Sequence, residues 1–311
     1  MRLLRYLLVA VESLAVHKLR AALTALGIII GVTAVLVTVG IGRGAASNIT
    51  ERIQSQGTNL LMVMPGASRS GALRQGVGSA RTLTIGDAQA LANSGFQPAP
   101  RLVVPTYSGM ARLVFGNANN QYQVVGTTAG YAAARNLELN SGRFLSPDEV
   151  REQRQVVVIG GTIASELFGS RDPLGQSVRI NGQPFEVIGV LKTSGGFGFN
   201  RTDTQAFVPL QVAQGRLLNA PRYRGEMVVS DITVVAASAD EMDALQRQIE
   251  IILRLRHNLK ADAANDFSIV NQASLLEVAS SVSQTLSLFL GAIGAISLLV
   301  GGIGIMNIML V

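Results

Sequence analysis

The chain contains no cysteine and only two histidines in 311 residues. Disulfides and thiolate chemistry are thereby excluded, and an exported domain of this size can stand on its hydrophobic core without cross-links. Charge is scarce as well: Asp, Glu, Lys and Arg make up 15% of the sequence, against about 25% in an ordinary soluble domain. That shortage points to segments dissolved in lipid rather than in water. The net charge of +6 is spread along the chain and never gathers with aromatics into basic stretches, so nucleic acid is not an expected partner.

Catalytic constellations are missing too. No Gly-x-x-x-x-Gly-Lys-Ser/Thr run occurs, which excludes nucleotide binding through a P-loop. Gly40-Ile-Gly-Arg-Gly44 and Gly195-Gly-Phe-Gly198 look like phosphate cradles only superficially, since one ends an apolar run and the other precedes no helix. His17 and His257 fall in different compartments, so they cannot share a metal, and each reads as a solvated residue at a helix end. Asp148 and Glu149 are explained by helix capping rather than by acid and base work. The expectation is of no catalytic, cofactor-binding or metal-ligating residue in this chain.

Two long uncharged runs are present. Ala21 to Gly42 holds no charge over 22 residues, enough for a helix to cross a hydrocarbon core. It exceeds the roughly 7 to 15 apolar residues of a signal-peptide core, so it reads as an anchor. From Val278 to Val311 there is again no charge. Arg2, Arg5, Lys18 and Arg20 precede the first run, which puts the N-terminus in the cytoplasm and the middle of the chain outside. The expected organisation is an amphipathic helix on the cytoplasmic membrane face over 1–20, a first span over 21–42, an extracytoplasmic domain over 43–283, and a second span over 284–311.

The middle domain reads as α+β. RLVVPTY, ARLVF, YQVVGT, QVVVIG, SVRING, FEVIGVL, AFVPL and DITVVA are short, rich in β-branched residues and bounded by turn formers. NLLMVMPG predicts an earlier strand, and the Gly, Ser and Arg-rich segment 67–81 reads as a mobile loop. Thr84 with Asp87, Ser146 with Pro147 and Glu149, and Ser238 to Glu241 predict helix starts. The last of these opens a helix with Met242, Leu245, Ile249 and Ile252 on one face and Arg254, Arg256, His257 and Lys260 at its negative pole. A final helical stretch over 275–287 leads into the second run.

The apolar runs themselves are patterned. Thr24, Gly27, Gly31, Ala34 and Thr38 recur at helical spacing in the first, as do Ser287, Gly294, Ser297, Gly301 and Gly304 in the second. In lipid, small residues let helix backbones approach closely, so both stripes predict packing faces. Asn307 lies off the stripe, and an amide at that depth calls for a hydrogen-bonding partner.

The runs LRAALTALGIIIGVTAVLVTVGIGRGA, GTNLLMVMPG, ELFGSRDPLGQSVRINGQPFEVIGVL, LRLRHNL and ISLLVGGIGIMNIMLV resemble, in this order, the permeases of MacB-type (FtsX-like) ATP-binding-cassette exporters. The resemblance runs from about residue 13 to the end. It implies a dimeric permease in the bacterial inner membrane, driven by a separate ATPase subunit that binds ATP and Mg, with a periplasmic adaptor and an outer-membrane channel as further partners. It also implies an outer domain with a porter-like part over 43–105 and 226–283 and an inserted part over 106–225. Such permeases relay ATPase movement through the spans to the outer domain, which expels a drug, a peptide or a lipid-linked substrate. Members of the family continue past the GGIGIMNIM motif with a coupling segment similar to E-R-x-x-E-I-G-x-R and two more spans, so this chain reads as an N-terminal fragment of such a permease. A lipoprotein-release or envelope-assembly permease of the same fold, and a two-span ligand sensor, stand as alternative readings.

Overall fold

The computed structural model describes residues 59–70, 73–77, 80–95, 97–193 and 202–309, with Leu26, Ile29, Val32, Thr33, Leu36, Val37, Gly40, Gly42 and Gly44 of the first apolar run. The chain divides into two units, Ile53–Ser274 and a second made of Met1–Arg52 with Leu275–Val311.

In the first unit, β1 (Leu60–Pro65) opens a sheet in which Leu61 and Val63 point into the core. A hairpin of β2 (Ala67–Ser70) and β3 (Leu73–Val77) follows where a loop was expected. It pairs with no third strand among those described, so its sequence carries no two-residue hydrophobic alternation to reveal it. Helix α1 (Ile85–Ala92) starts with the predicted capping box between Thr84 and Asp87.

β4 (Leu102–Phe115) joins into one strand what the sequence divides into RLVVPTY and ARLVF. Its first part, Leu102 to Thr106, pairs with β13 (Asp231–Val235), and from Tyr107 onward it pairs with β5 (Ala118–Thr127). Pro105 sits just before this change of partner. There the strand pairs on one side only, so the missing N–H leaves no ladder bond unmade. β14 (Phe267–Asn271), not foreseen as a strand, pairs with β1 at the sheet edge, giving the order β14, β1, β13, β4.

Beyond Tyr107 the strands close on themselves. Besides α2 (Tyr131–Ala134), α3 (Pro147–Arg151) and α4 (Gly161–Phe168), this part holds β6 (Leu139–Gly142), β7 (Val156–Ile159), β8 (Ser177–Ile180), β9 (Gln183–Leu191) and β10 (Gln205–Pro209). β4 pairs β5, β5 pairs β10, β10 pairs β7, β7 pairs β9, β9 pairs β8, and β8 returns to β4. The result is a six-stranded barrel filled by Leu113, Val124, Val157, Ile159, Val178 and Phe185 among others. Closure removes the exposed strand edges that an open sheet of this size would carry. A small hairpin, β11 (Arg222–Tyr223) with β12 (Glu226–Met227), leads back to the first sheet.

Helix α5 (Met242–Arg256) lays Met242, Leu245, Ile249 and Leu253 into the core beside Leu61, Val63, Leu83 and Ile232. The cap expected from Ser238 is not made. Glu241 is the cap residue without a side-chain bond, and the Met242 N–H is instead satisfied by the Ala239 carbonyl. A local backbone turn takes the place of the side-chain cap.

In the second unit the described positions from Leu26 to Gly44 are helical, and α6 (Gln272–Met309) is a continuous helix of 38 residues. Exposed apolar side chains mark both helices: Leu26, Ile29, Leu36 and Val37 on the first, and Leu288, Phe289, Ile296 and Leu299 on the second. Among the described residues, no helix is long and apolar enough to cross a membrane, so the two expected spans are not established by the structure.

Candidate functional site

The packing residues expected from sequence are only partly visible. Thr24, Gly27, Gly31, Ala34 and Thr38 lie outside the described residues, as do the side chains of Ser287, Ser297 and Asn307 on α6. Gly301 and Gly304 are helical, and Gly294 is buried while Gly291, Ile293, Ala295 and Ile296 around it are exposed. Gly40, Gly42 and Gly44 are helical, which is no loop for cradling phosphate. The segment Gly195 to Gly198 and His17 lie outside the described residues.

The structure corrects the reading of His257. It is 5% exposed, held between two carboxylates, and not a solvated helix end. Nδ1 lies 2.6 Å from Oδ1 of Asp266, and Nε2 lies 3.3 Å from Oδ2 of Asp87. Asp87, itself nearly inaccessible, also accepts from Arg256 Nε at 2.7 Å and from the Thr84 backbone N–H at 2.9 Å. Arg256 Nη2 is 3.5 Å from Glu226 Oε1, while Glu226 Oε2 accepts from the Gly86 N–H at 3.1 Å. The Thr84 hydroxyl lies 2.9 Å from Asp87 and 2.5 Å from Glu226 and donates to one at a time. A Cβ at residue 86 would collide with the Glu226 carboxylate, so the approach of that group to the start of α1 needs glycine there.

These charges tune one another. Burial alone would push the His257 imidazole down; the hydrogen bonds and charges of Asp266 and Asp87 outweigh it and raise the group to about 9. Burial would push Asp87 up, and the bonds from His257, Arg256 and Thr84 instead hold it at about 2. At neutral pH His257 is therefore an imidazolium donating from both ring nitrogens. Arg224 completes the group, its guanidinium donating to the carbonyls of Arg256 and His257, each at 3.2 Å.

Chemically this cluster is a set of ion pairs with every partner committed. Among the described residues, no His, Cys, Asp and Glu group could hold a metal ion. A second polar cluster lies where β4 changes partner. Asp231 Oδ1 accepts from the Thr106 hydroxyl at 2.5 Å, and burial holds the Asp231 carboxyl above its usual range. Asp231 Oδ2 and Arg135 Nε are buried without a hydrogen-bond partner. Neither cluster was legible in the sequence.

A family model described as the MacB-like periplasmic core domain matches residues 21–252. The chain belongs to this family. Macrolide export ATP-binding/permease proteins MacB are similar to it: that of Bdellovibrio bacteriovorus is 36% identical over 303 residues, covering 96% of this chain and 45% of the relative. That of an Azoarcus species is 37% identical over 303 residues, covering 97% of this chain and 43% of the relative. The chain thus spans less than half the length of the curated relatives it matches. Among solved structures, the periplasmic region of MacB from Actinobacillus actinomycetemcomitans aligns with a TM-score of 0.59 at 24% identity, over 73% of this chain and 95% of that one. The extracellular domain of the noncanonic ABC-type transporter YknZ from Gram-positive bacteria aligns with a TM-score of 0.53 at 21% identity, over 68% of this chain and 100% of that one. At those identities the two structures establish the fold. The sheet and barrel described above are accordingly a MacB-like periplasmic core domain, related to ABC exporter permeases.

Proposed function

We propose that this MacB-like chain is part of an exporter permease in the bacterial inner membrane, with its N-terminus cytoplasmic and residues 43–283 in the periplasm. Residues 21–42 and 284–311 act as its membrane spans, the second carried on α6. They relay the movement of a separate ATPase, which binds ATP and Mg, to the periplasmic domain. That domain expels a drug, a peptide or a lipid-linked substrate toward an adaptor and an outer-membrane duct, and the permease works as a dimer. The observation that carries this reading is the match of nearly the whole chain, including both apolar runs, to MacB exporters at 36% identity.

Two structural facts support it. Exposed apolar side chains along α6 and along the first run present to their surroundings what lipid accepts and water does not. The burial of Gly294 between exposed neighbours fits a helix packing through small residues, the role we give to Thr24, Gly27, Gly31, Ala34, Thr38, Ser287, Ser297, Gly301 and Gly304, with Asn307 seeking a polar partner.

The absence of cysteine supplies a clean test. A single Ser170→Cys on the exposed turn after α4 should react with a membrane-impermeant maleimide in cells with a permeabilised outer membrane. Labelling only after the inner membrane is broken would overturn the orientation and with it the relay.

A further inference from the structure

The role of the His257 cluster follows from where it sits along the chain. Among the described residues β14 is an edge strand paired with β1, and at Asn271 it runs directly into α6 at Gln272. On the relay reading, movement of α6 enters the sheet through the covalent link between Asn271 and Gln272. A strand that slips by two residues can remake its ladder bonds with the same faces in place. Directional hydrogen bonds at the strand head do not survive such a slip.

Asp266, immediately before β14, is held by three hydrogen bonds. Its carbonyl accepts from the Gly66 N–H at 2.7 Å and from the Thr82 hydroxyl at 3.0 Å. Its carboxylate accepts from His257 Nδ1, and the next residue, Phe267, sets its ring edge-on to the imidazole, with centroids 5.9 Å apart. The groups facing His257 are Asp266 before β14, Asp87 of α1, its neighbour Arg256 on α5, and Arg224 with Glu226 of the β11–β12 hairpin. Upstream, Arg254 gathers the connection itself: its guanidinium donates to the carbonyls of Lys260, Ala261 and Ala263 and to the Asn265 side chain. Arg254 and His257 thus staple the connection between α5 and β14. Buried ion pairs gain little over well-packed apolar groups in stability, so a cluster with this many fixed directions acts on geometry.

We propose that His257 is a positioning residue, pinning the head of edge strand β14 to the start of α1 so that movement of α6 carries the sheet with it instead of sliding β14 along β1. The proposal rests on the reading of α6 as the relay helix.

Hydrogen exchange followed by mass spectrometry on the full chain in detergent micelles tests it. His257→Gln should speed exchange of the β14 amides by about tenfold or more beyond any change shared with β13, because local opening adds to global opening. Leu245→Ala, a truncation in the shared core, should speed exchange across β1, β13 and β14 together. In the unsubstituted chain, β14 protection corrected for intrinsic exchange should fall as pH rises from about 8 to 10, and in His257→Gln it should stay level. Uniform loosening in His257→Gln, or level β14 protection across that pH range in the unsubstituted chain, overturns the pin. Should His257→Gln fail to fold, Asp266→Asn and the pH series decide the same question. Exchange requires neither an ATPase nor a defined orientation, so the Ser170→Cys labelling fails or succeeds independently.

Discussion

Raising pH should destabilise the periplasmic-core fold by discharging one residue. His257 is 4% exposed at its side chain and is raised from 6.5 to about 9 by Asp266 and Asp87. A group whose proton affinity is higher folded than unfolded adds stability that is complete below the unfolded value and disappears as pH climbs through the folded one. For His257 the contribution is whole below pH 6.5 and gone above about 9. At ~1.4 kcal/mol for each tenfold gain in affinity, that interval corresponds to about 3 kcal/mol. The burial of the ring leaves little solvent to screen the interaction. Urea unfolding of the full chain, followed by the far-ultraviolet signal of its strands, should therefore show a midpoint that declines between pH 6.5 and 9.5. His257→Gln should be less stable than the unsubstituted chain at pH 6 and approach it at pH 9.5, since only the unsubstituted chain has the clamp to lose. Parallel declines in the two proteins, or a constant midpoint in both, would refute the assignment of the imidazolium as the stabilising species.

Acid should act elsewhere. Glu149, held at about 2 by Arg143 and the Ser146 N–H despite its burial, contributes stability that is present above 4.5 and lost as pH falls toward 2. Because Arg143 stands in solvent at 58% exposure, Glu149→Gln should cost only about 1 to 2 kcal/mol at pH 7, read by urea titration. Asp231 has the opposite sign. Its carboxyl is raised by burial and its Oδ2 is unpartnered, so ionisation above pH 4 costs stability, and Asp231→Asn should raise stability at pH 7 by about 1 kcal/mol. A fall of similar size would show that Arg135 depends on the charge. Gly160→Ala would drive its methyl into the backbone of Thr202 and Asp203 and should destabilise the barrel by about 1 to 3 kcal/mol, checked by thermal unfolding.

What the sequence revealed and what it hid differ by the distance over which the information acts. The capping boxes at Thr84 and Ser146 need only two positions three apart to be compatible, and both appear as read. The strands with β-branched alternation were visible for the same reason, whereas β14, with only Phe267 buried and its other residues half-exposed, has too weak a pattern. His257 shows the limit most sharply. Its local surroundings, a helix end rich in Arg and Lys, argue for a solvated cation complementing the helix dipole. Asp87, however, is 170 positions away and carries its own sufficient local explanation as the third residue of a capping box. One carboxylate does both jobs, with Oδ2 serving the cap and the imidazole and Oδ1 serving Arg256. A residue already explained by its neighbours gives no sign of a second partner, so dual use of this kind escapes any reading by local pattern. It follows that Asp87 is the position where cap and clamp can be separated: Asp87→Asn keeps an oxygen for the Thr84 N–H and removes the charge that faces His257 and Arg256. Its effect on stability should therefore shrink between pH 7 and 9.5 as His257 discharges, keeping only the share of Arg256, which stays charged; an equal effect at the two pH values in urea unfolding would refute the imidazolium clamp.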